Sequence, residues 1–310
     1  MKIAFVFPGQ GSQSVGMMNS FAALPSVRET FDEASGALGR DLWKLVEAGP
    51  AEELGMTVNT QPIMLVAGIA IFRAWRASGG PQPAVAAGHS LGEYSALVAA
   101  GALDFAEAVP LVKERAQSMQ DAVPAGTGAM AAVLGLDDDA VRAACKEASS
   151  ASEVAEAANY NSPAQVVIAG NKAAVERAME IAKARGAKRA VMLPMSAPSH
   201  CSLMRPAADF MRERLKTVTI HTPVTPVVHN ADVASFGAPG EIRDALIRQL
   251  CQPVRWAETI RKMVADGATH IVECGPGRVL AGLNKRISPE TQTFTLADEA
   301  AFRQALDAMK

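Results

Sequence analysis

The sequence has 310 residues and a formal net charge of −2, and is 49% hydrophobic, 20% charged and 5% aromatic. A chain of this length holds one large domain or a large and a smaller one, and its balanced charge excludes a broad basic face for nucleic acid. Its longest apolar stretch, Ile63 to Trp75, is broken by Gly68 and Arg73 and is shorter than the ~20 residues of a membrane span, so it reads as a buried helix.

Met1 to Phe7 is too short an apolar run for a secretory leader. Ile3 to Phe7 is a predicted first strand, and Pro8-Gly9-Gln10-Gly11-Ser12-Gln13 a glycine-rich turn after it. The turn lacks the G-x-G-x-x-G spacing of a dinucleotide site, but a loop at the carboxyl end of a strand is where α/β sheets bind ligands. Helical patterns follow at 27–38, 51–54 and 61–77.

Ala84 to Ala87 reads as a buried strand, Gly88-His89-Ser90-Leu91-Gly92 as a tight turn, and Glu93 to Ala100 as a helix. G-x-S-x-G between a strand and a helix is the context of a nucleophile elbow, with Ser90 as candidate nucleophile; a serine that merely caps a helix is the plain alternative. The first N–H groups of the helix would face an oxyanion formed at Ser90. Phe105 to Gln120 is a further amphipathic helix, in which Arg115 stands among Leu111, Val112, Ala116 and Met119. Such an arginine is either a solvated surface residue or a planar fork for a substrate carboxylate.

From Gly126 the pattern changes to strand 129–134, helix 137–148, strands 154–159 and 165–169, helix 172–185 and strand 188–193. This β-α-β-β-α-β order predicts an inserted ferredoxin-like domain over residues 126–194, with the hairpin turn at Asn161-Ser162-Pro163. Residues 1–125 and 195–310 are then a large α/β domain of α/β-hydrolase-like kind with a mostly parallel sheet covered on both faces. In the second part, a helix is expected from Ser199 to about Lys216, strands at 226–228, 270–274 and 293–296, and helices at 241–250, 256–265, 278–287 and the C-terminus.

A serine hydroxyl needs a neighbouring base, most often histidine. Of the five histidines, His89 is expected to point away from Ser90 on the elbow and His270 opens a strand, while His221 and His229 flank proline-rich segments and stay open as candidate bases. His200 lies in the irregular stretch Pro194-Met195-Ser196-Ala197-Pro198-Ser199-His200, a loop on a rigid scaffold. No acid stands near it in sequence, but a backbone or amide carbonyl would fix its tautomer. Cys145, Cys201, Cys251 and Cys274 form no C-x-x-C pair, so neither a zinc site nor a disulfide framework is expected, and a reducing cytoplasm is the expected setting.

Taken together, the glycine-rich loop at Gln10, the Ser90 elbow, Arg115 and the His200 loop resemble the malonyl-CoA:acyl carrier protein transacylase family of bacterial fatty-acid synthesis. Thr60-Gln61-Pro62, the run from Asn159 to Gln165, Gln249-Leu250 before Pro253-Val254, and Glu273-Cys274-Gly275-Pro276-Gly277 extend the likeness over nearly the whole chain. The resemblance implies that Ser90 attacks the malonyl thioester of coenzyme A while His200 takes its proton. It implies an oxyanion hole from the backbone N–H groups of Gln10 and Leu91, Arg115 on the malonyl carboxylate, and Gln249 holding the base through a carbonyl. The phosphopantetheine thiol of an acyl carrier protein would then take the acyl group in a ping-pong sequence. No metal or cofactor, no nucleic acid, no membrane and a monomer are expected with it.

Three other readings remain open at this point: a trans-acting acyltransferase of a polyketide pathway, a serine acyl hydrolase, and a non-catalytic carrier-binding module. Against a hydrolase, elbow hydrolases place serine, acid and histidine in that order, and no clear acid stands between Ser90 and His200. Acidic carrier proteins call for a local basic patch, with Lys183, Arg185, Lys188 and Arg189, or Lys285 and Arg286, as candidates beside the plainer reading of solvated surface.

Overall fold

The computed structural model describes residues 1–195 and 197–309. Nine strands are formed among them: β1 Ile3–Phe7, β2 Val85–Gly88, β3 Gly128–Leu134, β4 Ala155–Ser162, β5 Gln165–Asn171, β6 Arg189–Met192, β7 Val227–Val228, β8 His270–Glu273 and β9 Gln292–Thr295. Five of them make one sheet in the order β7-β2-β1-β8-β9, every pair parallel. Parallel sheets are covered on both faces, and β1 and β2 are accordingly buried at every residue.

The helix Thr57–Ala77 is apolar nearly all round, and its stretch from Thr60 to Phe72 is buried without a break. This is the longest apolar run of the sequence, and it is spent on the core beneath the sheet, where Phe5 meets Trp75 edge-on at 5.5 Å. Among the described residues no helix is long and apolar enough to cross a membrane.

The remaining four strands form a separate antiparallel sheet in the order β4-β5-β3-β6, with the helices Asp138–Ala148 and Lys172–Ala184 packed on it. The chain order strand-helix-strand-strand-helix-strand is the one expected. Its sheet is joined to the rest through Asn159 and Tyr160, whose strand meets Val254 by backbone hydrogen bonds of 2.9 Å in both directions.

Two local expectations need correction, and one element was missed. The hairpin turns at Pro163-Ala164, with Ala164 at φ +59°, because Ser162 already pairs with Gln165 across the sheet. No helix begins at Ser199; a short 3-10 turn, Ser202–Met204, leads into the helix Arg205–Leu215, where Pro206 suits the first turn. A helix at Leu42–Ala48, capped by the Asp41 side chain on Lys44 N–H, was not expected.

Candidate active site

The site sits at the carboxyl ends of the central strands, the place where open parallel sheets bind ligands. β2 runs into the elbow and β1 into the loop carrying Gln10. Ser90 is forced into the left-handed region at φ +52° by the sharp turn between β2 and the helix Gly92–Ala99. The turn closes only because its flanking residues lack side chains. A Cβ on Gly88 would overlap the backbone of Gly92, and one on Gly92 would overlap the Phe7 carbonyl.

His200, 110 positions away in sequence, comes to Ser90: its Nε2 lies 2.7 Å from Oγ. His200 is also left-handed, at φ +62°, and is 2% exposed. Its Nδ1–H donates to the Gln249 carbonyl at 2.7 Å, which fixes the tautomer and leaves Nε2 free to accept a proton. Burial first, and then the positive charge of Arg115, hold the imidazole down to a pKa of about 3.

Arg115 is 1% exposed, which removes it from the class of surface arginines. The helix Phe105–Asp121 delivers its guanidinium to the elbow, where Nη2 stands 3.4 Å from Ser90 Oγ. Its other contacts are neutral: the Gln61 side-chain oxygen at 2.5 Å, the Gln249 side-chain oxygen at 2.8 Å and the face of Tyr94 at 5.4 Å. Nε has no partner among the described residues. Burial pushes the pKa of Arg115 down from its ordinary value, yet a guanidinium stays charged at neutral pH. A buried cation held by amides and a ring, with no carboxylate on it, can pair with an anionic group.

A cavity of about 510 Å³ opens on these residues, between the parallel sheet and the antiparallel one. Gln10, Ser90, Leu91, Arg115 and His200 line it on one side, and Met130 of β3 and Val167 of β5 on the other. The Gln10 and Leu91 N–H groups donate to no described residue. Gln249 is wholly buried and does not face the cavity; it stands behind the Ser90–His200 pair. Of the other histidines, His89 is bonded to Asn161 at 2.8 Å and packs on Trp256, and the His270 ring stacks on Phe294.

Several residues of the site were not singled out as its members from sequence. Gln61 and Asn161 stood in motifs without a role. Asn230 follows the two-residue strand β7, which pairs with β2; its signal is that it ends a strand beside the elbow strand. His229, left open as a candidate base, is bonded through Nδ1 to Glu93 at 2.7 Å and not to Ser90. Among the described residues no cluster of His, Cys, Asp or Glu could hold a metal ion.

Comparison with known proteins shows the family of this chain. Residues 4–293 match the acyl transferase domain family. The malonyl CoA-acyl carrier protein transacylase of Escherichia coli is 54% identical over 307 residues, covering 99% of each chain. The chain belongs to this family. Two solved structures share its fold throughout. The acyl-carrier-protein S-malonyltransferase of Burkholderia pseudomallei superposes with a TM-score of 0.97 at 59% identity, covering 99% of this chain and 100% of that one. A malonyl-transacylase in complex with its type II PKS acyl-carrier protein superposes with a TM-score of 0.98 at 50% identity, covering 99% of this chain and 100% of that one. Transacylase chemistry gives the arginine a purpose that a hydrolase of simple esters does not.

Proposed function

We propose that the protein transfers malonyl from malonyl-CoA to the phosphopantetheine thiol of an acyl carrier protein through a malonyl ester on Ser90. His200 Nε2 takes the hydroxyl proton as Ser90 Oγ attacks the thioester carbonyl. The tetrahedral oxyanion is held by the N–H groups of Gln10 and Leu91, residues that line the cavity and whose N–H groups donate to no described residue. Collapse breaks the carbon–sulfur bond, and the departing coenzyme A thiolate takes the proton back from His200. The carrier thiol then gives its proton to His200 and attacks the ester carbonyl, and Ser90 leaves with that proton. The protein and its two thiols complete the cycle, and this scheme calls on no metal or cofactor.

Arg115 pairs with the malonyl carboxylate. The observation that carries this reading is its position within 3.4 Å of the nucleophile with no carboxylate partner. An acyl group without a carboxylate leaves buried donors unpaired, a cost of about 1–3 kcal/mol. Transfer assays with malonyl-, methylmalonyl- and acetyl-CoA test it. Arg115→Ala is expected to lower malonyl transfer about 10- to 100-fold while leaving acetyl transfer near its original rate; an unchanged malonyl-to-acetyl ratio removes Arg115 from the site. Comparing carrier proteins of fatty-acid and polyketide pathways in the same assay assigns the pathway; fatty-acid synthesis is the expected one, in the cytoplasm and as a monomer.

Residues 1–125 and 195–310 form the α/β-hydrolase-like catalytic domain in this reading, and residues 126–194 a ferredoxin-like insertion that supplies the far wall of the cavity. The strand order β4-β5-β3-β6 supports the second assignment. Contact with the acidic carrier falls to basic residues not already engaged. Lys183 is bonded to Glu180, Arg185 to Glu147 and Arg286 to Gln165. Among the described residues Lys188, Arg189 and Lys285 stand in no ion pair, which supports Lys188 and Arg189 on the insertion, or Lys285 on the large domain, as the carrier contact.

A further inference from the structure

The Ser90–His200 pair has no acid on its histidine, yet a carboxylate lies buried one residue behind it. Glu93, in the first turn of the elbow helix, is 0% exposed. Its Oε1 accepts from His229 Nδ1–H at 2.7 Å, and its Oε2 accepts from Asn230 N–H and from the Gln249 side-chain amide, both at 2.9 Å. A carboxylate kept from water needs such a set of donors.

Two of these donors belong to residues that hold the reacting groups. The Gln249 carbonyl orients His200, its side-chain oxygen binds Arg115, and its amide nitrogen also donates to the Ser90 carbonyl at 2.9 Å. Asn230 accepts from Ser90 N–H at 2.7 Å and donates to the Gly88 carbonyl at 2.6 Å, clamping both ends of the strained turn. Glu93 therefore reaches the nucleophile, the base and the arginine through one intervening residue each.

The two charges explain the orientation of the Gln249 side-chain amide. The Gln249 amide lies between the Arg115 guanidinium on its oxygen side and the Glu93 carboxylate on its nitrogen side. Turned over, it would set N–H against the cation and oxygen against the anion, so the amide has one tolerable orientation. An interposed amide also keeps the carboxylate off the guanidinium. The cation stays oriented and partly compensated, and its outer face is left for a ligand.

We infer that Glu93 is the positioning residue of this site: through Gln249 and Asn230 it sets the Ser90–His200 geometry and the aim of Arg115, and it touches no reacting atom. The inference rests on the proposed malonyl transfer. It assigns both the rate of Ser90 acylation and the preference for a carboxylated acyl group to a residue outside the cavity.

The test is single-turnover acylation of Ser90 by malonyl-CoA and by acetyl-CoA, followed by intact mass and normalised to the fraction of sites that can be labelled. Glu93→Ala removes all three acceptor contacts. Glu93→Gln removes the charge and keeps the shape, because the His229 ring can change tautomer and accept. For Glu93→Ala, malonylation per competent site is expected to fall about 100-fold, the scale of a misplaced reacting group. For Glu93→Gln the malonyl-to-acetyl ratio is expected to fall about 3- to 10-fold, the scale set by weakening one charge-assisted hydrogen bond. A merely structural role would lower the labelled fraction and leave both the rate per site and the ratio in place, and that result overturns the inference. Should Glu93→Ala fail to fold, Glu93→Gln alone decides: a rate and ratio within about two-fold of the original protein contradict it. If the unaltered protein forms no malonyl ester at all, it is the transferase reading that fails.

Discussion

Ser90 and His200 both hold left-handed backbone conformations, each of which costs an L-residue about 1–3 kcal/mol and survives only where its surroundings enforce it. Here the surroundings are polar and buried, and they set the acid-base behaviour as well as the geometry. Burial and the Arg115 charge keep the His200 pKa at about 3, so the base is neutral across the physiological range. The rate of Ser90 acylation is therefore expected to be flat from about pH 8 to about pH 5, with no limb near the ordinary histidine value of about 6.5. In Arg115→Ala the charge that adds to desolvation is gone, and the acid limb is expected to move upward; a limb that stays where it was separates Arg115 from the base. The linkage to stability has a definite sign. Between about pH 6.5 and about pH 3 the unfolded chain binds a proton at His200 that the folded one refuses, so this group favours folding above that window and its contribution is lost as the pH falls through it. At this scale the sequence was partly legible. Gly88, Ser90 and Gly92 announce the elbow by local spacing, whereas local setting left His221 and His229 open beside His200 as the base. The 2.7 Å contact of His200 with Ser90 spans 110 positions, and no local pattern encodes such a distance.

The elements were legible wherever hydrophobic period and punctuation agreed, as in β1, β2 and the helix Phe105–Asp121. They were misjudged where side chains do the work of the backbone. The Asp41 cap starts a seven-residue helix whose period is too brief to register, and the left-handed turn at His200 delays a helix that its proline-bearing sequence places earlier. The most constrained element is the strand-turn-helix from β2 to Ala99, which must pass close to β1. Gly92→Ala would drive a methyl group into the Phe7 carbonyl, and neither backbone can retreat without breaking the parallel pairing of β1 and β2. A loss of about 3 kcal/mol or more is expected, read as a fall in the denaturation midpoint, together with loss of Ser90 acylation. A midpoint within error of the original would mean that the turn is looser than this packing requires. β8 contributes in a different way. Its last residue, Glu273, accepts from the N–H groups of Leu280 and Ala281, which seats the helix Val279–Ile287 at the cavity wall. Its setting on the helix N-terminus could not be read from the motif in which it stood.

At the scale of the molecule, the cavity lies where two sheets of different kind meet, one presenting Ser90, His200 and Arg115 and the other Met130 and Val167 together with Asn159 and Asn161. The alternation of strand and helix announced both sheets, whereas their mutual placement depends on a few contacts such as Tyr160 with Val254. In the proposed cycle Ser90 hands the acyl group from one thiol to another and not to water. The lifetime of the malonyl ester on Ser90 tests this most directly, with the ester formed from malonyl-CoA, freed of excess coenzyme A thioester and followed by intact mass with and without a phosphopantetheine-bearing carrier protein. A stable adduct alone, rapid loss on adding the carrier with malonyl appearing on the carrier thiol, and no adduct in Ser90→Ala are expected. An adduct that decays as fast without the carrier as with it would make the protein a hydrolase.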